Sequence, residues 1–111
     1  MVSQEDINLI NQFQMLQQQL QAILIQKEDN KLEILETEKA LDELNKGDVK
    51  EVYKLSGQIM IKKDVDIIKK ELEEKLSDLE LRLSAFDKTE HKINEKLKEM
   101  EPKLKKIVSQ E

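Results

Sequence analysis

The chain has 111 residues, a net charge of −5, 39% charged residues, 3% aromatic residues and no Cys or Trp. One domain exhausts that length, and with only Phe13, Tyr53 and Phe86 as aromatic rings its core must be a thin one of Leu and Ile, unsuited to enclosing a pocket. The lack of Cys excludes a disulfide framework and a thiolate metal site, no apolar run approaches the ~20 residues of a membrane span, and Lys interleaved with Glu under a negative net charge argues against the basic face of a nucleic-acid binder.

The first predicted element is a helix over residues 3–46. It contains no Gly or Pro and is rich in Gln, Leu, Glu and Lys, all good helix formers. Its apolar positions recur at alternating spacings of three and four, the sign of a coiled-coil seam: Leu9, Phe13, Leu16, Leu20, Ile23, Lys27, Asn30, Ile34, Thr37, Leu41 and Leu44. The seam is apolar at both ends and polar in the middle. At 1.5 Å per residue the helix would be on the order of 60 Å long. Gly47 suits the left-handed residue that ends a helix. The Gln run from Gln12 to Gln21 keeps Phe13, Leu16 and Leu20 in helical phase, so it reads as a polar helix face.

A β-hairpin is expected over residues 50–62. Val52, Tyr53, Leu55, Ile59, Met60 and Ile61 cluster around Ser56-Gly57, and β-branched and aromatic residues flanking a Gly-containing turn favour two paired strands. The sequence leaves the strand register open. Whatever the register, both faces carry apolar groups, and such a sheet needs cover on both. A lone two-stranded hairpin is marginal in water, and its unpaired edges are normally covered. Pairing with hairpins of other subunits, into a barrel or stacked sheet, meets both needs.

The third element is a helix over residues 64–109, with Asp64 as N-cap and Asp66 in the first turn near the positive helix end. Its seam is Leu72, Leu76, Leu79, Leu83, Phe86, Glu90, Ile93, Leu97, Met100, Leu104 and Ile107. The average spacing of 3.5 keeps one stripe on a partner helix. Ile67 and Ile68 lie beside the seam. Pro102 removes a backbone hydrogen bond and clashes with the preceding turn, so a kink or local fraying is expected near Glu101, without a full stop.

Two helices of similar length joined by a short hairpin fold back antiparallel. Phe13 then faces Met100, Leu16 faces Leu97, Leu20 faces Ile93 and Leu41 faces Leu72. The defects Lys27 and Glu90 fall on neighbouring layers. Either both snorkel outward, or they pair and fix the register of the helices. At the far end, Ile7, Leu9, Ile10, Phe13, Met15, Met100, Leu104, Ile107 and Val108 gather more apolar surface than a soluble monomer leaves uncovered, and Met suits surfaces that accept varied partners. Seam completion alone would account for some of these residues, least well for Ile7, Ile10 and Val108.

Catalysis finds no support. His91 is the single His, beside Glu90 at an outward position, and zinc ligation usually needs a second nitrogen ligand. Gly47 and Gly57 are isolated and serve turns, so there is no phosphate loop. Tyr53 could stack on single-stranded nucleic acid, but it lacks flanking Arg, and Arg82 is the single Arg. Packing in the sheet accounts for it better. The expectation is a non-enzyme without cofactor or metal, with no nucleic-acid or membrane partner. The polar, acidic start (Ser3, Gln4, Glu5, Asp6) does not resemble a secretory signal, so a cytoplasmic location is expected.

Several stretches together resemble the β subunits of the archaeal prefoldin family. They are Tyr53-Lys54-Leu55-Ser56-Gly57-Gln58-Ile59-Met60-Ile61-Lys62, then Leu79-Glu80-Leu81-Arg82-Leu83 and Lys92-Ile93-Asn94-Glu95-Lys96, with the Gln-rich Phe13 to Gln21 before them. The resemblance runs from about Ile10 to Lys106. It implies a single prefoldin-like domain over 1–111, mainly α, with two long helices in an antiparallel coiled coil joined by a hairpin that assembles into an intersubunit β-barrel. It implies a hexamer of two α and four β subunits whose coiled-coil tips hold non-native polypeptides and pass them, without nucleotide, to a group II chaperonin. The tip residues would be Ile7, Leu9, Ile10, Phe13, Met100, Leu104 and Ile107. The assembly residues would be Val52, Tyr53, Leu55, Ile59, Met60 and Ile61. Chaperonin docking would involve roughly Lys98 to Glu111. The competing reading is a structural coiled-coil tether or scaffold whose tip binds one defined partner; such a rod has no need of edge-exposed strands.

Overall fold

The computed structural model describes residues 2–109. Helix α1 spans Gln4–Asn45, strands β1 and β2 span Val52–Ser56 and Ile59–Lys63, and helix α2 spans Val65–Ser109. Both helices begin on side-chain caps. At α1 the Asp6 amide donates to Ser3 Oγ (3.1 Å) and the Ser3 amide donates to Asp6 Oδ2 (3.2 Å). This reciprocal capping box satisfies two donors that a helix start leaves orphaned. At α2 the Asp66 amide donates to Asp64 Oδ1 at 2.8 Å, and the Ile68 amide closes the first turn on the Asp64 carbonyl at 3.1 Å. Gly47, just past α1, has φ +82°, the left-handed geometry that a side chain there would strain.

The strands pair antiparallel, with Val52 opposite Lys63, Tyr53 opposite Lys62, Lys54 opposite Ile61, Leu55 opposite Met60 and Ser56 opposite Ile59. The turn between them is two residues, Gly57-Gln58. Gly57 has φ +61° and no other residue of the hairpin has positive φ, the pattern of a type II′ turn, whose twist matches that of the strands. This fixes the register that composition left open.

The helical seams lie where their spacing put them. From Leu72 to Ile107 the residues withdrawn from solvent are the eleven seam positions and no others. From Leu9 to Leu44 they are the eleven positions of the first seam plus Ile10 and Ala40. One expectation is corrected at the start of α2. Ile68 is buried while Ile67 is exposed, because Ile68 stands four residues before Leu72 and extends the seam by one position. At Pro102 there is no full stop, as expected, and of the two disturbances expected near Glu101 the fraying is absent: α2 stays helical through Pro102 as far as Ser109. Leu104 and Ile107 hold their seam positions beyond it, so the helix does not fray at Glu101.

The chain divides into two units, one made of residues up to Glu28 with those from Ser84 onward, the other of Asp29–Leu83. In the first, Leu16, Ile93 and Met100 form a buried cluster with Leu9, Phe13, Leu20, Ile23 and Leu97 packed against it. Lys27 sits on this seam between two carboxylates, 2.7 Å from Asp87 and 2.8 Å from Glu90. The two defects therefore pair, and Asp87, which seam spacing does not mark, joins them. In the second unit Leu41, Leu44, Ile68 and Leu79 are buried. Asn30 and Thr37, the other polar seam positions, are buried and satisfied: the Asn30 amide donates to the Leu79 carbonyl at 2.9 Å, and the Thr37 hydroxyl to the Glu33 carbonyl at 2.7 Å. Buried polar groups cost stability only when left unpaired. An Asn that must reach one particular carbonyl penalises any slip of one helix along the other.

Candidate functional site

The grooves found among the described residues are open to solvent. The described residues contain no group of three or more His, Cys, Asp or Glu placed to hold a metal, and no described helix is long and apolar enough to cross a membrane. His91 pairs with Glu95 at 3.0 Å on the solvent side of α2. The residues singled out by sequence gather on two surfaces, the hairpin and the region where the start of α1 meets the end of α2.

Alternation along the strands sorts the hairpin side chains onto two faces. One carries Tyr53, Leu55, Met60 and Lys62; the other carries Val52, Lys54, Ser56, Ile59, Ile61 and Lys63. On the second face Lys54 reaches Glu71 of α2 at 3.5 Å, and Val52 and Lys63 are half-buried. Beyond them that face is open, with Ile59 65% exposed and Ile61 exposed as well. On the first face Leu55 is 69% and Met60 66% exposed, although the two stand directly opposite each other. Glu51 accepts hydrogen bonds at the base of this face, from the Tyr53 hydroxyl at 2.8 Å and Lys62 at 3.3 Å. The bond to Glu51 pushes the Tyr53 phenol pKa up, because ionisation would abolish it, and partial desolvation acts in the same direction. The sheet has only these two strands, so among the described residues each strand has an outer edge without a strand partner. Five large apolar side chains stand exposed on a two-stranded ribbon with open edges, a surface shaped for further strands.

At the helix ends the residues singled out by sequence separate into three groups. Ile7 is exposed, as are Met15 and Val108. Leu9, Ile10, Phe13 and Leu104 are half-buried. Met100 and Ile107 are buried, each 7% exposed. Phe13, Leu104 and Val108, with Glu101, Lys105 and Ser109, line a shallow and mostly apolar groove. A second groove is lined by Glu5, Asp6, Leu9, Lys103, Lys106 and Ile107. It joins acids from the first turns of α1 to bases near the end of α2, the placement that both helix dipoles favour.

Sequence reading missed the Ser3–Asp6 capping box, although the Ser-x-x-acid signal was available. Seam spacing also leaves Asp87 unmarked, one turn before Glu90 on the flank of the seam; its signal in the sequence is an acid within one turn of the layer opposite a Lys on an apolar stripe.

The chain resembles known proteins along nearly its whole length. A family model described as prefoldin subunit matches residues 8–111. The prefoldin subunit beta of Thermococcus onnurineus is 41% identical over 99 residues, covering 86% of this chain and 84% of the relative. That of Archaeoglobus fulgidus is 39% identical over 103 residues, covering 92% and 89%. Among solved structures, the crystal structure of the prefoldin beta subunit from Thermococcus strain KS-1 superposes with a TM-score of 0.81 at 37% identity, covering 96% of this chain and 95% of that one. Two long helices with one antiparallel hairpin between them, and relatives that agree across both helices and the hairpin, make this chain a member of the prefoldin family, of the β-subunit type.

Proposed function

We propose that the chain is a subunit of an ATP-independent holdase chaperone, assembled through its hairpin and binding non-native polypeptides where the helix ends meet. Prefoldin subunits are chaperones, and membership of the family implies assembly with other prefoldin subunits. The finer reading is a hexamer with α-type subunits, two α and four β, acting in the cytoplasm and passing its clients to a group II chaperonin.

The observation that carries the reading is the hairpin. Leu55, Ile59, Met60, Ile61 and Tyr53 are exposed on both faces of a two-stranded ribbon with open edges. A tether or scaffold gains nothing from such a surface, whereas hairpins of sibling subunits would cover its edges and faces together. Val52, half-buried at the base of β1, would complete the assembly surface.

Client binding would use Ile7, Leu9, Ile10, Phe13 and Leu104 directly, with Met100 and Ile107 behind them. None of these forms a deep pocket, so one arm would hold a client weakly. Several arms on one platform raise the effective concentration at each tip and convert weak contacts into useful retention. The test is to mix the chain with an α-type subunit and measure mass by light scattering, then assay suppression of client aggregation and capture of a group II chaperonin. The expected result is a hexamer that suppresses aggregation and, when residues 101–111 are deleted, stays hexameric but suppresses poorly. A chain that remains monomeric in the mixture would overturn the assembly reading; undiminished suppression by the deletion variant would overturn the tip site.

A further inference from the structure

We propose that the uncharged solvent face of α1 is a second client surface, on which Gln and Asn side chains hydrogen-bond the backbone of an extended non-native polypeptide. The proposal rests on the chaperone reading above. It adds to the helix-end site a surface on the side of α1 away from α2, and it names the part of the client that this surface recognises.

From Ile7 to Gln26, α1 carries no Asp, Glu, Lys or Arg. In the same unit, α2 from Ser84 to Ser109 carries twelve of them. Helix formation does not call for this difference, because Glu and Lys form helices as readily as Gln and add pairing at i,i+4. Burial does not call for it either: the seven Gln between Gln12 and Gln26 are all exposed. In a chain with 39% charged residues, a wetted helix face of this length has kept its polarity and given up its charge.

The face is also ordered. Ile7, Asn11, Gln14, Gln18, Gln21 and Ile25 succeed one another at spacings of four and three, and all are exposed. This is a second stripe, on the opposite side of α1 from the seam that holds Leu16 and Leu20. Its 18-residue span is about 27 Å long at 1.5 Å per residue, which matches about eight residues of extended chain at ~3.3 Å each. Four amides stand along the middle, with an isoleucine at each end. Met15, 59% exposed, lies on the flank. Among the described residues, no hydrogen bond engages the side chains of Asn11, Gln14, Gln18 or Gln21.

Each such amide offers two N–H donors and a carbonyl acceptor. A non-native chain presents free backbone N–H and C=O groups along its length whatever its sequence, and a flexible Gln can meet either. The lack of charge completes the match. A charged stripe would repel clients of its own sign, whereas a neutral one accepts clients of both signs. Each bond replaces one to water and is individually weak, so release stays easy. Repetition along the stripe and over several arms supplies retention. Ile7, Met15 and Ile25 meet the client's apolar side chains.

The test uses the complex assembled with an α-type subunit. The probes are a fluorescent, uncharged eight-residue peptide and its twin N-methylated at alternate residues, which keeps every side chain and loses N–H donors. The parent should bind the plain peptide about tenfold more tightly than the twin. The triple variant Gln14→Ala, Gln18→Ala, Gln21→Ala removes amides and keeps helix propensity. It should bring the two affinities together, with the circular dichroism and the mass of the complex unchanged. Equal affinities in a parent that suppresses client aggregation, or a preference that survives in the triple variant, would overturn the amide surface and leave the helix-end site standing. A parent that fails to suppress aggregation would overturn both. In a second arm, a benzophenone amino acid replaces Gln18 and, separately, the exposed Lys92 of α2. Light should link a reduced client to the first position well above the second. Links to a neighbouring subunit in place of the client would mark the stripe as an interface between copies and overturn the proposed occupant.

Discussion

The five exposed apolar side chains of the hairpin and the seam residues of the helices have the same chemistry, yet the first lie open and the second closed. Leu55, Ile59 and Met60 are each about two-thirds exposed, while Leu16, Leu79, Ile93 and Met100 are 8% exposed or less. The cause is period. Spacing of three and four places the seam residues of a helix on one stripe, which a second helix of the same chain can cover, while off-seam residues such as Ile25, Leu32 and Leu81 stay exposed. Spacing of two divides a strand between two faces, and a two-stranded ribbon has no further element of its own to cover either. Intramolecular packing therefore ends at the seam, and most of the hairpin's surface stays open. The seam also tolerates polarity, because Lys27, Asn30 and Thr37 each find a partner there or on its flank, whereas the hairpin's Lys62 and Lys54 pair with Glu51 before β1 and Glu71 of α2.

The contrast breaks most plainly at Ile59. Ile59→Lys places an ammonium on an already exposed position, so the isolated chain should lose almost nothing: less than about 0.5 kcal/mol and an unchanged helical melt. Burying that unpaired charge between subunits would cost several kcal/mol, enough to abolish assembly in light scattering at micromolar concentration. An oligomer of unaltered mass would show that the open ribbon is not the assembly surface, and the distinction between open and closed apolar surface would lose its functional meaning.

How far the sequence was legible follows the same line. Helical period exposed both seams residue by residue, because each position's neighbours are local and their geometry is fixed. Gly57 announced the turn, but the register of Tyr53 against Lys62 was hidden while apolar residues stood on both faces, since alternation discriminates only when one face is polar. The Lys27 pairing was legible as a possibility and undecided, because a long Lys can either reach out or reach across. Its second partner, Asp87, lay off the seam. At the helix ends period marked Met100 and Ile107 and could not tell which tip residues stay open; that depends on how far the partner helix covers each.

A finer test lies at Lys27. Its ammonium donates to Asp87 and Glu90, and these two hydrogen bonds, Asp87 the larger, raise its pKa against a smaller opposing desolvation. A raised folded-state pKa stabilises the fold fully below the unfolded value, about 10.4, and that contribution fades as pH climbs toward the folded value. Lys27→Met should therefore lower the melting temperature by a few degrees at neutral pH. The gap between parent and variant should stay constant to about pH 10 and then shrink. Because side chains of the trio remain partly exposed, added salt should narrow the gap as well. Lys27→Met combined with Glu90→Met should recover stability, since the replacement of a paired set by apolar groups is often neutral or favourable. A gap that widened with alkalinity would show that the ammonium opposes the fold, and the seam could no longer be said to accommodate its polar residues by pairing them.

The smallest expected effect is at the first turn of α1. The Ser3 hydroxyl accepts the Asp6 amide, while the Asp6 carboxylate accepts the Ser3 amide and lies near the positive end of the helix. Ser3→Ala removes one acceptor and costs about 1 kcal/mol where the cap is coupled to global stability. Here the coupling is weak: Ile7 is exposed and the packed cluster reaches only as far as Leu9. The first turn can fray without opening that cluster. Ser3→Ala should therefore hasten amide exchange at Asp6 and Ile7 several-fold, with the melting temperature unmoved and the amides from Phe13 onward unaffected. A drop in melting temperature would place the start of α1 within the cooperative core, and the closed region would then extend right to the end of the seam.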